Sequence, residues 1–560
     1  LKPTNSQPDP RIQKVLSLHQ AGKLTEAAEG LRELIRVFPS DPRFQAHLGT
    51  ILLQLGKAGE ALTAFDQVLV FKSDWPQAFA NRALALQTLG RLDEALRSYD
   101  QAIASKPEAW LYFNRANVLR DLGRLEEAVE SYGECLRLNP KQVEALNNRG
   151  ALLLSLRRPL EALDDFNQTT TLRPDDPEGF NNRGNLLRGL GRPEEALADY
   201  DRAIALKPAH ADSWNNRGVA LQELGRRPEA MEAYDKAIAL QNDFAFAYWN
   251  KSQLELLMGQ WEEGWKLYEW RWKSAMKKEA RNFVKPLWLG DPPLTGKTIL
   301  IWAEQGMGDI MQYARYVPMV ETLGAQVVFE APRPLVLLLR TLPGRALVVS
   351  SESSLPDFDL QCPLISLPLA FKTTLATVPA SVPYLSADPV KVAAWAEKLG
   401  PKKTPRIGLA WSGRAEHSND HNRSVALKTL EPLLKLPFEF HSLQKEMRET
   451  DAAWLQQSGL IGDHRDALGD FSDTAALVAN LDLVITVDSS AAHLSGALGK
   501  PIWVLIPFAP DHRWLLGRDD NPWYPQAVLF RQTVLGDWES VVSRLAERLQ
   551  DRFKSQRSSH

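Results

Sequence analysis

Three short clusters in the second half of the chain carry residue types that can do chemistry. The first is Asp488-Ser489-Ser490-Ala491-Ala492-His493, directly after the apolar run Leu483–Val487 and ahead of Gly496 and Gly499. A buried strand, a tight polar turn and a helix start leave backbone N–H groups free near Ser489 and Ser490. Such an end attracts phosphate through those donors and the helix dipole. The competing local role is capping by Asp488 or Ser489, although a cap alone has no use for His493. The second cluster is Glu304-Gln305-Gly306-Met307-Gly308-Asp309, after the run Thr298–Trp302. Gly306 and Gly308 permit a tight strand-to-helix turn, and Asp309 opens the helix, where capping is its default role. The third runs from Trp411 through Gly413, Arg414, Glu416, His417, Asp420, His421 and Asn422 to Arg423 and Ser424. Gly, Arg, His and Asn after a strand could hold a phosphate or a departing diphosphate. Lys445, after another strand, could reach the same nucleotide. For each cation the plain alternative is a solvated loop charge.

Other chemistries find no such pattern. Six of the ten histidines lie between His417 and His512, yet they form no His-x-x-x-His pair on a helix with a third ligand. Cys135 and Cys362 are the only cysteines. No metal site and no bound cofactor are therefore expected. Asp357-Phe-Asp359 is too short and too common a pattern to change that. There is no Walker loop, no Gly-x-Ser-x-Gly elbow and no full Gly-x-Gly-x-x-Gly.

Short β-rich runs alternating with helical stretches must position these clusters. Thr298–Trp302, Gln326–Glu330 and Ala346–Val349 come first, then a Pro-rich irregular stretch from Leu355 to Pro389. A second series follows: Arg406–Trp411, Phe438–Leu443, Asp482–Val487, Ile502–Ile506 and Ala527–Phe530. Strand-helix alternation implies parallel sheets covered by helices. Two Rossmann-like α/β lobes facing a cleft are expected, over residues 297–388 and 389–553, with ligands at the carboxyl ends of the strands.

The first half repeats itself. Gly22, Gly56, Gly90, Gly123, Gly191, Gly225 and Gly259 recur in a 33–34-residue phase, with Arg157 at the one position that lacks glycine. A Glu-Ala pair follows all but the last at a fixed offset, as in Glu26-Ala27 and Glu60-Ala61, and most units carry an aromatic four residues later: Phe65, Tyr99, Tyr132, Phe166, Tyr200 and Tyr234. Pro39, Pro107, Pro140, Pro174 and Pro208 close many units. The physics is two helices per unit. Glycine ends the first, alanine lets the second approach closely, the aromatic fills the groove between neighbouring units, and proline stops the second.

A 34-residue helix-turn-helix with these positions resembles the tetratricopeptide repeat (TPR), over residues 8–272 in about eight units, followed by a linker at 273–296. An all-α superhelix with a concave groove is expected from that resemblance. The Asn column Asn81, Asn114, Asn148, Asn182, Asn216 and Asn250 has two readings. One is hydrogen bonding between helices. The other comes from a resemblance to the O-GlcNAc transferases, whose Asn ladder holds extended peptide; it would make Asn114, Asn148, Asn182 and Asn216 acceptor-binding. The stripe Trp261, Trp265, Tyr268 and Trp272 falls on one helical face. It is read as a hydrophobic seam docking the array onto the next domain, in preference to a sugar platform.

The segment around Asp488–His493 resembles the nucleotide-sugar motif of the heptosyltransferase-type glycosyltransferases (family nine), which have the GT-B fold. The likeness covers most of residues 285–553, with Ser490 where that family often has glycine. It implies that Asp488, Ser489, Ser490 and His493, with Gly306, Gly308 and Arg423, bind the donor; Lys445 joins the donor-binding set on its place after a strand. It also implies that Asp309 serves as general base. The function so implied is inverting, metal-independent transfer of a sugar from a nucleotide-diphosphate sugar, as co-substrate, to an acceptor, a protein in the TPR groove. The alternatives are a non-catalytic TPR scaffold, or a transferase acting on a surface polysaccharide or lipid-linked glycan.

Composition is compatible with this. Lys+Arg of 66 against Asp+Glu of 69 gives a net charge of −3, which demands no nucleic-acid partner. Apolar runs such as Leu335–Leu339 are too short for a membrane span. No signal peptide is visible, and two cysteines in different domains fit a reducing, cytoplasmic setting.

Overall fold

The computed structural model describes residues 9–414 and 419–557. The chain forms two compact units that divide between Arg192 and Pro193.

The first unit is built of helix pairs, from Pro10–Gln20 with Leu24–Val37 to the single first helix Pro177–Gly189 of the repeat that ends it. Each turn inside a pair is left-handed: Gly22, Gly56, Gly90 and Gly123 have φ between 73° and 75°, and Arg157 adopts φ 58° in their place. Ala27, Ala61, Ala95, Ala128 and Ala162 are fully buried, and Phe65, Tyr99 and Tyr132 fill the space they leave. A Cβ on Gly49 would lie 2.7 Å from the Phe65 ring, so the small residue and the aromatic are one packing unit. Ion pairs tie neighbouring repeats: Arg82 to Asp66 at 2.6 Å and Arg115 to Asp100 at 2.7 Å. In the next repeat Gly133 stands where that aspartate is expected, and Arg149 turns to the buried Asp165 instead, at 2.5 Å.

The second unit begins with the helices Pro193–Leu206, Ala211–Glu223, Arg227–Leu240, Ala245–Leu257 and Trp261–Tyr268. Trp261, Trp265 and Tyr268 are buried in one core with Ile310, Tyr313 and Trp523 of the α/β part. Trp261 stacks on Trp523 at 5.3 Å, and Trp265 meets Tyr313 edge-on at 6.1 Å. The aromatic stripe is thus a seam between repeat and α/β part. Trp272 corrects the expectation: the α-helix ends at Tyr268, and Trp272 lies in the 3-10 turn Glu269–Lys273, 5.2 Å from Trp302.

Two parallel sheets follow. The first has β1 (Thr298–Trp302), β2 (Gln326–Ala331), β3 (Leu347–Ser350) and β4 (Leu360–Pro363), in the order β3-β2-β1-β4. The second has β5 (Arg406–Ala410), β6 (Glu439–Ser442), β7 (Ile461–Gly462), β8 (Leu483–Val487), β9 (Ile502–Ile506) and β10 (Ala527–Arg531), in the order β10-β9-β8-β5-β6-β7. β4 corrects the expectation of an irregular stretch there; it is four residues long and ends in proline, and β1 supplies its register. β5, β8 and β9 are buried at every position, as strands covered on both faces must be. In both sheets the strand order reverses beside the first strand, between β1 and β4 and between β5 and β8. Crevices at such switch points are where ligands enter parallel sheets.

Candidate functional site

The turn after β1 is anchored from behind. Glu304 is fully buried and accepts two bonds from the equally buried Arg271, at 2.9 and 2.8 Å, and one from the Ile365 N–H at 3.0 Å. Burial pushes the Glu304 carboxyl up, and Arg271 opposes that. Gln305 takes the left-handed φ of 62° and donates to the Tyr268 hydroxyl at 2.9 Å. Strain of this kind persists only where its surroundings over-determine it. The helix Met307–Tyr313 then starts at Gly306, whose N–H donates to an Asp309 carboxylate oxygen at 3.0 Å. The other Asp309 oxygen is paired with Arg513.

After β8, Ser489 caps the helix Ser490–Ala497, its hydroxyl accepting from the Ala491 N–H at 3.3 Å and lying 3.0 Å from Thr486 Oγ1. His493 is 4% exposed; its Nδ1 is 3.1 Å from the Tyr524 hydroxyl and its ring stacks on Trp514 at 5.8 Å. The two helix starts meet. A Cβ on Gly308 would lie 2.7 Å from His493 Cδ2 and 3.3 Å from Ser490 Cα, so only glycine fits without movement. Gly308, Asp309, Ser490 and His493, remote in sequence, therefore share one place at the carboxyl ends of β1 and β8.

Charge gathers around that contact. Arg513 pairs with Asp309 and, through its other terminal nitrogen, with Asp511 at 2.7 Å. Arg423 donates to the Asp488 carbonyl at 3.3 Å, and its Nε is buried without a hydrogen bond, 3.7 Å from an Asp420 carboxylate oxygen. A Cβ on Gly413 would lie 2.4 Å from the Arg423 guanidinium, so Gly413 admits that side chain. Burial, with Asp511 beside it, pushes the Asp488 carboxyl up to about 6, against the pull of Arg513 and Arg423. Burial and then Arg513 hold His493 well below the usual imidazole range, so it is neutral at pH 7. Burial also acts to raise Asp511, but Arg513 and His512 more than reverse it. The arrangement offers two guanidinium groups, a helix start and a neutral imidazole: a place for an anion beside a carboxylate.

Lys445 is exposed and donates to the Gly469 carbonyl at 2.6 Å. Glu416 and His417 fall outside the described residues. Among the described residues no group of three or more His, Cys, Asp or Glu is arranged to hold a metal. The Asn column is mixed. Asn148 donates to Tyr132 of the preceding helix at 3.2 Å and Asn250 to Asn215 at 2.9 Å, both helix-to-helix bonds. Asn81 accepts from Gln77 of its own helix at 3.1 Å, Asn114 is half-buried and Asn182 is exposed. Arg513, Asp511 and Tyr524 were not singled out from sequence. Their one signal was position: Asp511-His512-Arg513 is a charged turn after β9, the strand next to β8.

A family model described as tetratricopeptide repeat matches residues 12–78, 81–115 and 181–243, and one described as TPR repeat matches 116–156. Those stretches of the helical part are therefore TPR units. Protein FlbA of Caulobacter vibrioides is 28% identical over 327 residues, covering 54% of this chain and 54% of its own length. The chain thus spans about half the length of that curated relative. Among solved structures, YrrB, described as a TPR protein with an unusual peptide-binding site, is 27% identical with a TM-score of 0.31, covering 33% of this chain and 96% of its own. A tetratricopeptide repeat protein from Parabacteroides merdae is 22% identical with a TM-score of 0.32, covering 43% and 96%.

Proposed function

We propose that the chain is an inverting, metal-independent glycosyltransferase of the two-lobed GT-B type, with TPR units that hold a protein acceptor. The observation that carries this is the meeting of the Gly308-Asp309 turn after β1 with the Ser490–His493 helix start after β8, both at strand-order reversals and flanked by Arg423 and Arg513. A nucleotide-diphosphate sugar would place its diphosphate at the Ser490 helix start, where Arg423 and the backbone donors meet its charge. Asp309 then takes the proton of an acceptor hydroxyl. The hydroxyl oxygen bonds to the anomeric carbon as the carbon–phosphate-oxygen bond breaks, and the nucleoside diphosphate leaves with that electron pair. Neutral His493 donates or accepts a hydrogen bond without adding charge.

A second reading has its own observation. Both oxygens of Asp309 are already bonded, to Gly306 and Arg513, as they would be in a TPR scaffold whose charge network is structural. Calorimetric titration with a panel of nucleoside diphosphates, read beside turnover of the matching nucleotide sugars, separates the two, because bound nucleotide without turnover favours the scaffold. Transfer requires that one of them binds and that Arg423→Ala weakens it at least tenfold. No binding by the parent, or equal binding by the variant, favours the scaffold.

A further inference from the structure

Arg513 has no role in the scheme so far, yet it touches the one residue assigned to take the proton. Its backbone is fixed. Asp511 caps its turn by accepting from the Arg513 N–H at 3.0 Å, Asn521 donates to its carbonyl at 2.8 Å, and Leu515 closes the turn with a left-handed φ of 52°. Asp511 also holds one terminal nitrogen of the guanidinium at 2.7 Å. The other terminal nitrogen is the one on Asp309, and Nε is buried with no partner. The group is thus hinged on Asp511 with two donors facing the Asp309 side, one bonded and one unused. Asp309 follows Gly308, which lies against the Ser490 helix start, and the Arg513 charge acts on both Asp488 and His493 beside that start, so an anion there meets the field of the same guanidinium.

Resting on the transferase reading above, we propose that Arg513 is an exchangeable cation for which Asp309 and the donor's diphosphate compete. The diphosphate draws the guanidinium away, turning on the Asp511 contact. The Asp309 oxygen so released is then open to an acceptor hydroxyl. A guanidinium bonded to that oxygen takes up one of its lone pairs and competes with the acceptor hydroxyl for it, so donor binding and base release become one event. The coupling is reciprocal, as any linkage between two ligands of one group must be. It gives the site an order, donor before acceptor.

Competition fixes a sign that a structural ion pair does not. Titration with inorganic pyrophosphate reads it without knowledge of the base or sugar. Asp309→Asn, which removes the competing charge, should bind pyrophosphate about fivefold or more tightly than the parent. Arg513→Met should bind it at least tenfold more weakly, and in that background Asp309→Asn should bring no gain. Thermal melting monitors folding of each variant, and a gain in affinity cannot come from misfolding. Unchanged or weaker binding by Asp309→Asn, or a gain that persists without Arg513, overturns the exchange while leaving the transferase reading intact. A parent protein that binds neither pyrophosphate nor any nucleoside diphosphate overturns both.

Discussion

Asp488 shows at the scale of one residue how the fold tunes the site. Its carboxyl is raised from an ordinary 3.8 to about 6, mainly by burial. A carboxyl raised on folding contributes stability that is fully present below its unfolded value and is lost as pH climbs through its folded one. Asp488→Asn should therefore melt progressively higher than the parent as pH rises from 4 to 7. The gap should level off at about 1–3 kcal/mol. A gap that does not vary with pH removes the buried-carboxylate account. Gly308→Ala tests the contact between helix starts. A Cβ 2.7 Å from the His493 ring must push one helix away. Nucleotide binding should fall at least tenfold with a stability loss of about 1–3 kcal/mol. Gly308, Asp309, Ser490 and His493 were legible in the sequence because each sits in a strand-turn-helix pattern. Arg513 and Tyr524 were not: their partners lie in other elements, Asp309 being 204 residues away from Arg513, and no local spacing records that.

Among the elements, the repeat helices and eight of the strands could be read directly, because Gly, Ala and aromatic positions hold phase and apolar runs end in turns. β4 and β7 could not. Four and two residues long, they are strands only because β1 and β6 give them register. The repeat period also locates a flaw. Arg157 holds a left-handed φ of 58° where the other units have glycine, and its side chain is exposed. Relief of that strain outweighs the extra chain entropy of glycine. Arg157→Gly should stabilise the protein by about 0.5–1 kcal/mol in urea unfolding followed by helical circular dichroism. A loss of stability would mean that the Arg157 side chain does more than fill the turn.

For the whole molecule, the claim is that TPR units hold a protein while the α/β part moves a sugar onto it. Asn148 bonds to a neighbouring helix, whereas Asn182 stands exposed, so the column is part structure and part free surface. Replacing Asn148, Asn182 and Asn216 together with Ala should weaken capture of a protein acceptor while leaving donor hydrolysis near the parent level. Stability should fall by no more than about 1–2 kcal/mol, the worth of the bonds removed. Early unfolding, or undiminished capture, would return the column to a purely structural role. The most direct test of the central claim is release of nucleoside diphosphate from a panel of nucleotide sugars, by the parent and by Asp309→Asn. Turnover of one donor by the parent, reduced roughly 10²–10⁴-fold in the variant with the fold intact, is the result the account predicts. Equal turnover by both proteins, or none by the parent with any donor and candidate acceptor, would contradict it.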